Sequence, residues 1–291
     1  WFGGIGIIVL ALAILPTLQI GGMQLLHMEH DDPYEKTLPK INQFVFEIFS
    51  IYILLTFLCS IMYFVAGMSG FNAITHAMTT ISTGGFSTQN DSLAGFNSAT
   101  IEFISVFFMI VGSLPFVIYL KMTHGDFKSL FKDDQIKLFI FILTFLIIIT
   151  AYWLYIHIDN NIFNCFRIAA FNITSIMTGT GYTSSNYSAW GSFGIVIMLF
   201  IMFIGGCAGS TTGGIKIFRL QLLFRGSITQ IKKLTHPHGV FLTSFNNKSV
   251  GEDAYNSIMG FFFMYIFIFI LSAIVLSFFN LDFLTALSAS A

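Results

Sequence analysis

Six stretches of this chain of 291 residues carry no Asp, Glu, Lys or Arg: 1–28, 48–90, 103–120, 138–158, 168–215 and 254–281. Roughly 20 apolar residues cross a bilayer as a helix, so the shorter runs read as single spans. The runs 48–90 and 168–215 are too long for one crossing, and each holds more than one element. With 55% hydrophobic and 9% charged residues, and 36 phenylalanines, the balance is that of a membrane protein rather than a soluble domain. The opening at Trp1, inside an apolar run, and the stop at Ala291, just as "TALSASA" begins, predict a piece of a longer chain. Cys59, Cys165 and Cys207 have no metal-type spacing and read as small packing residues.

The two long runs share a pattern. "ISTGGFSTQNDSLAG" (81–95) aligns with "MTGTGYTSSNYSAWG" (177–191) at a constant offset of 96, which pairs Gly85 with Gly181, Phe86 with Tyr182 and Asn90 with Asn186. Short apolar segments, 71–80 and 162–176, precede the two polar turns. They are too short to cross and predict half-helices that dip in and return through the turn. Of 13 Lys and Arg, two lie in 22–42, four in 121–137 and six in 216–248, leaving Arg167. The positive-inside rule puts those connectors in the cytoplasm and the turns outside, so each unit starts and ends on one side and the repeats are parallel.

The expected organisation is all-α. Residues 1–20 form the last helix of one unit and 21–42 a connector. A second unit (43–121: span, half-helix, turn, span) is followed by a connector at 122–137. A third unit (138–225) ends in a broken span with a loop at 204–214. A last connector (226–253) leads to the start of a fourth unit at 254–291.

Irregular backbone survives at membrane depth only where protein or a wet path satisfies it. A cation leaving water needs oxygen ligands, and glycine-rich backbone can turn successive carbonyls towards one. The candidate ion-binding residues are therefore Ser82, Thr83, Gly84 and Gly85, with Thr178, Gly179, Thr180 and Gly181 in the second copy. Each preceding half-helix would aim its negative C-terminal end at the same point.

The motifs "STGGFST", "TGTGYTSS", "GGCAGSTTGGIK" and the opening "WFGGIGIIVLALAILP…IGGMQL" resemble the Trk/Ktr/HKT superfamily of potassium transporters, nearest its bacterial TrkH/TrkG branch. The resemblance covers essentially the whole sequence. It implies repeated membrane–pore–membrane units around one central pore, with Gly85 and Gly181 as filter glycines of the second and third units. It also implies potassium as the transported ion, an inner-membrane location, a homodimer and a cytosolic nucleotide-sensing TrkA-like ring as partner. The first and fourth filters would lie outside this sequence, so a sodium-selective or sodium-coupled relative is the alternative. An intramembrane enzyme is remote, because the runs lack paired acids or a Ser–Lys arrangement. No catalytic residue, covalent cofactor or nucleic-acid partner is expected.

Around 204–216 two readings stand side by side. Gly205, Gly209 and Gly213 have GxxxG spacing, which suits a helix-packing face. Gly206, Ser210, Thr211, Thr212 and Gly214 are poor helix formers, which suits a broken helix with a loop at mid-membrane. The resemblance implies the second, with the loop as a gate. "GSTTGGIK" misses a phosphate-binding loop because Ile215 separates Gly214 from Lys216. Arg167 is expected near the outer interface, bonding loop carbonyls. His236 and His238 read as solvated, Asp91 as a residue of the outer mouth, and Lys232, Lys233 and Arg225 as facing lipid headgroups or a cytosolic partner.

Overall fold

A computed structural model describes residues 1–4, 38–236, 239, 241, 244–246 and 248–291. The expected helix over 5–20, most of the first connector and His238 lie outside them.

Helix α1 (Leu38–Val65) is followed after a tight turn by α2 (Gly70–Ile81). Beyond three intervening helices the second copy repeats the plan, with α6 (Asp134–His157) before α7 (Ile162–Met177). The short helices start where a polar side chain takes an otherwise orphaned N–H: Ser69 Oγ accepts from Asn72, and Asn161 Oδ1 from Phe163 and Asn164. A third helix pair, α10 (Glu252–Phe278) and α11 (Phe283–Ser290), begins likewise, with Asp282 accepting from Thr285. That bond holds the exposed Asp282 carboxyl below the usual carboxylate range. By length and hydropathy Gln43–Val65, Asp134–His157 and Tyr255–Phe278 can each cross a membrane. Their outward faces carry exposed Phe57, Phe64, Phe141, Phe145, Phe263 and Phe267, as a lipid-facing surface requires.

The second half of each unit departs from a plain span. The run 103–120 is two helices, α3 (Ala99–Gly112) and α4 (Phe116–Thr123), bent by 88° at Gly112–Pro115. Pro115 supplies no N–H and biases Leu114 away from the helical region, so the bend falls there. A short helix, α5 (Lys128–Lys132), leads into α6. In the second copy α8 (Gly191–Met202) stops, an irregular segment follows, and α9 (Ile217–Thr235) resumes and runs past residue 225. A two-residue antiparallel pairing of Ser244–Phe245 with Lys248–Ser249 precedes α10.

The copies interlock. Phe171 and Tyr182 of the second are buried in the first copy's core beside Tyr63, Ala77 and Phe108. Leu114 and Ile118 of the first join the second copy's core beside Phe139 and Ile173. All three cysteines are buried thiols.

Arg167 corrects its expectation. Its Nη1 lies 2.9 Å from Glu102 Oε1 and its Nη2 2.7 Å from Asn164 Oδ1, so it bonds a carboxylate of α3 rather than loop carbonyls. The charge-free run starts at Phe103, but Ser98 caps the helix one turn earlier and carries Glu102 into the span. Removing either partner strands the other where solvation is poor, at a cost on the order of 3 kcal/mol. In the complete protein, Glu102→Ala should lower the melting temperature in detergent, and adding Arg167→Leu should recover most of the loss. A double variant no better than the single would contradict the pairing.

Candidate functional site: two carbonyl-lined turns and the loop beneath them

Each half-helix ends in a right-handed residue, Ser82 (φ −77°) or Thr178 (φ −81°). Left-handed residues then alternate through the turn: Thr83 (φ 51°) and Gly85 (φ 67°) in the first, Gly179 (φ 68°) and Gly181 (φ 83°) in the second. Alternating handedness sends successive N–H groups to one side of the chain and carbonyls to the other. The N–H groups face the half-helix. Gly84 and Gly85 donate to Thr79 O at 2.7 and 3.4 Å, and Thr180 and Gly181 to Ser175 O at 2.9 and 3.2 Å. Among the described residues no donor reaches the carbonyls of Thr83, Gly84, Gly85, Thr178, Gly179, Thr180 or Gly181.

The outer end of each turn is fixed by the same two residues. Thr79 Oγ1 donates to Phe86 O at 2.9 Å and Ser175 Oγ to Tyr182 O at 2.7 Å. Thr79 and Ser175, a repeat-related pair, therefore suspend both turns. Sequence reading missed them. The signal was a hydroxyl at the same place in each copy, four residues before the right-handed turn pair begins to alternate.

The turns also touch each other. The Tyr182 hydroxyl lies 2.6 Å from Thr79 Oγ1 and 3.2 Å from Thr80 Oγ1, and Tyr63 bridges Thr80 and Ser105 at 2.9 and 2.8 Å. A Cβ on Gly85 would overlap the Thr180 carbonyl oxygen, so glycine is required there for approach as well as for φ. Tyr182 is 1% exposed, whereas its repeat partner Phe86 is 79% exposed.

Below the turns, 203–216 is not helical, so Gly205, Gly209 and Gly213 form no GxxxG helix face. Its neck is closed by backbone bonds: Gly205 N–H to Ile215 O at 2.9 Å, Ile215 N–H to Phe203 O at 3.0 Å and Ile217 N–H to Gly206 O at 3.0 Å. Gly205 and Gly213–Gly214 cross so closely that a side chain at 205 would overlap the Gly213 carbonyl. Inside, Ser210 Oγ pairs with Thr212 Oγ1 at 2.8 Å, Gly206 N–H donates to Thr212 Oγ1 at 3.1 Å, and the Lys216 ammonium donates to the carbonyls of Ser210 and Thr212.

This loop docks on the bend between α3 and α4. Cys207 N–H donates to Ser113 O at 3.0 Å, Thr211 N–H to Gly112 O at 3.3 Å, and Phe116 N–H to Gly209 O at 3.0 Å. Thr211 Oγ1 lies 3.0 Å from both Ile81 O and Gly112 O, and Thr83 Oγ1 donates to Thr211 O at 3.1 Å. Thr211 thus joins the loop to the end of α2 and to the first turn. From the other side the Gln135 side chain accepts the Ala208 N–H at 2.9 Å. Phe245 packs edge-on to Phe218, in a small core that includes Ala208. The bend at Gly112–Pro115 escaped the sequence reading of 103–120 as one span, although Gly-Ser-Leu-Pro held the signal.

The profile of one known family, described as the TrkH cation transport protein, matches residues 1–291. The chain belongs to the TrkH family. Its relatives include the Trk system potassium uptake protein TrkI of Halomonas elongata, 37% identical over 100% of this chain and 59% of that protein. The TrkH protein of Vibrio parahaemolyticus is 37% identical over 100% of this chain and 61% of its own length. The crystal structure of the potassium transporter TrkH from Vibrio parahaemolyticus superimposes with a TM-score of 0.88 at 35% identity, over 99% of this chain and 60% of that one. The chain thus spans about 60% of the length of the TrkH-family proteins it matches. The fold is accordingly the all-α membrane fold of that family, with repeated parallel units and re-entrant half-helices.

The paired turn glycines of this TrkH-family chain, Gly85 and Gly181, differ in what a methyl group meets. At Gly181 nothing stands within 4 Å of an added Cβ, so Gly181→Ala carries only the left-handed penalty, about 1–2 kcal/mol. Gly85→Ala adds the overlap with Thr180. The melting temperature of the complete protein should therefore fall further for Gly85→Ala than for Gly181→Ala; equal falls would contradict the packing of the two turns.

Proposed function

We propose that this chain forms two adjacent walls of a potassium-conducting pore, together with the loop that closes it. The observation that carries the reading is the row of undonated carbonyls in each turn, set by the same alternation of φ in both copies. A potassium ion shedding water needs such oxygens at close range, and the C-terminal ends of α2 and α7 add negative potential there. Ser82, Thr83, Gly84 and Gly85 and their counterparts Thr178, Gly179, Thr180 and Gly181 are the ion-coordinating residues. Relatives named for potassium uptake support potassium as the ion.

The remaining walls come from residues outside this sequence, with 1–20 ending a first unit, 43–121 and 138–225 forming the second and third, and 254–291 opening a fourth. The segments 21–42, 122–137 and 226–253 are cytoplasmic connectors, and the turns open outwards across the inner membrane. Dimerisation and a cytosolic nucleotide-binding ring follow from the family reading. Conduction of this kind needs no catalytic side chain and no cofactor beyond the ion itself.

The loop residues Gly205, Gly206, Gly209, Ser210, Thr211, Thr212, Gly213 and Gly214 act as the gate. A pore that conducted freely would collapse the cell's ion gradients, and the bond from Thr83 to Thr211 lies directly under the first turn.

Two measurements test the reading. Gly85→Asp or Gly181→Ser in the complete protein should lower potassium preference over sodium about tenfold in liposome flux, equivalent to about 1.4 kcal/mol. Unchanged permeability ratios in both variants, with normal expression, would refute the filter. Deleting Gly209–Gly213 should lengthen single-channel open dwell times and weaken dependence on the cytosolic partner. Unchanged dwell times in a well-expressed deletion would refute the gate.

A further inference from the structure

His76 is fully buried in the middle of α2, and both ring nitrogens are engaged. Nδ1 lies 2.8 Å from Asn72 O and Nε2 3.0 Å from Ser87 Oγ, on the strand that leaves the first turn. A carbonyl can only accept, so Nδ1 carries the hydrogen and Nε2 is left to accept from the Ser87 hydroxyl. Ser87 Oγ in turn accepts the Gln89 N–H at 3.1 Å. With the neutral imidazole the polar chain thus runs in one direction, from Gln89 through Ser87 and His76 to Asn72.

The second copy performs the same task without a titratable group. At the offset of 96 the counterpart of His76 is Asn172. Its Nδ2 donates to Ile168 O, again the carbonyl four residues earlier, at 2.9 Å, and to Ser184 Oγ at 2.9 Å. Its Oδ1 accepts the Ser184 N–H at 3.3 Å. Each residue therefore ties the strand leaving its turn to its own half-helix.

Resting on the filter reading above, we infer that His76 is a positioning residue for the outer end of the first filter, and that its protonation from the outer side reduces cation flux. Proton uptake turns Nε2 from acceptor to donor, so that the Ser87 hydroxyl must turn its own hydrogen away to accept from it, and puts a positive charge behind the turn that gathers cations. Ser87 is only half-buried and offers the proton a route to the ring. The other titratable groups around α2 are common to the parent and His76→Asn, so comparing the two separates their effect from that of His76. Tyr63 and Cys59 on α1 and Tyr182 of the second turn are neutral at physiological pH. Glu102 on α3 is paired with Arg167. Phe96, edge-on to the ring at 5.2 Å, comes from the short turn that follows the exposed Asp91.

The test is the external-pH profile of potassium flux for the complete protein in liposomes, with parent, His76→Asn and Asn172→His compared. Between about pH 7.5 and pH 4.5, a window that reaches below the ordinary imidazole range because the ring is fully buried, parent flux should fall several-fold. His76→Asn should match the parent at the upper pH and lose the fall. Asn172→His should deepen it. A parent profile that is flat, or one shared by His76→Asn, overturns the inference while leaving the filter reading intact. A His76→Asn protein that is folded but non-conducting at both pH values overturns the equivalence with Asn172. Should His76→Asn fail to fold, the Asn172→His arm decides alone: a profile no steeper than the parent's counts against the inference. A parent that passes no potassium at any pH sinks the filter reading instead.

Discussion

Backbone that leaves the helix inside a bilayer must find partners for its N–H and carbonyl groups within the protein, and the arrangement of this chain follows from that requirement. It opens the backbone at four places: the two turns, the bend at Gly112–Pro115 and the loop at 203–216. The last two satisfy each other. The bend frees the carbonyls of Gly112 and Ser113 and the N–H of Phe116, and the loop supplies Thr211, Cys207 and Gly209 to meet them. Each irregularity meets open groups of the other, which accounts for the loop lying against α3–α4.

The turns solve the problem differently. The N–H groups of Gly84 and Gly85 share the Thr79 carbonyl, those of Thr180 and Gly181 share that of Ser175, and among the described residues the opposite row of carbonyls meets no protein donor. An arrangement that satisfies donors and leaves acceptors open suits a cation. Thr83 holds a left-handed conformation that costs a non-glycine residue about 1–2 kcal/mol, and its hydroxyl bonds to Ser82 and Thr211 offset part of that cost. The first turn is thereby tied to the state of the loop in a way that Gly179, its repeat counterpart, is not.

Much of this was legible in the sequence. The apolar runs and the offset of 96 pointed to the half-helices at 70–81 and 162–177, because a membrane span and a half-helix differ in length and the difference is written in the hydropathy. The glycine density of 205–214 pointed to a broken helix. What escaped were features that depend on who sits beside whom. Glu102 was excluded from its span by one position, and its partner Arg167 lies 65 residues away. The bend at Pro115 sits in an apolar run whose hydropathy is unbroken. Thr79, Ser175 and His76 look like ordinary helix residues until the strand that hangs from them is placed.

The irregular loop occurs in one copy and not in the other, where a bend of four residues stands in its place. Assembly from identical separate subunits would forbid such a difference, since any insertion would appear in every subunit and the insertions would meet on the common axis. The loop here reaches the first turn through the bond from Thr83 to Thr211, and in the second a Cβ on Gly179 would stand 3.7 Å from Gly213 N. Tandem duplication on a single polypeptide removes that restriction. It lets one copy carry the irregular loop while its neighbour is shaped to receive it, so a gate of the kind proposed above can be as asymmetric as a key in a lock.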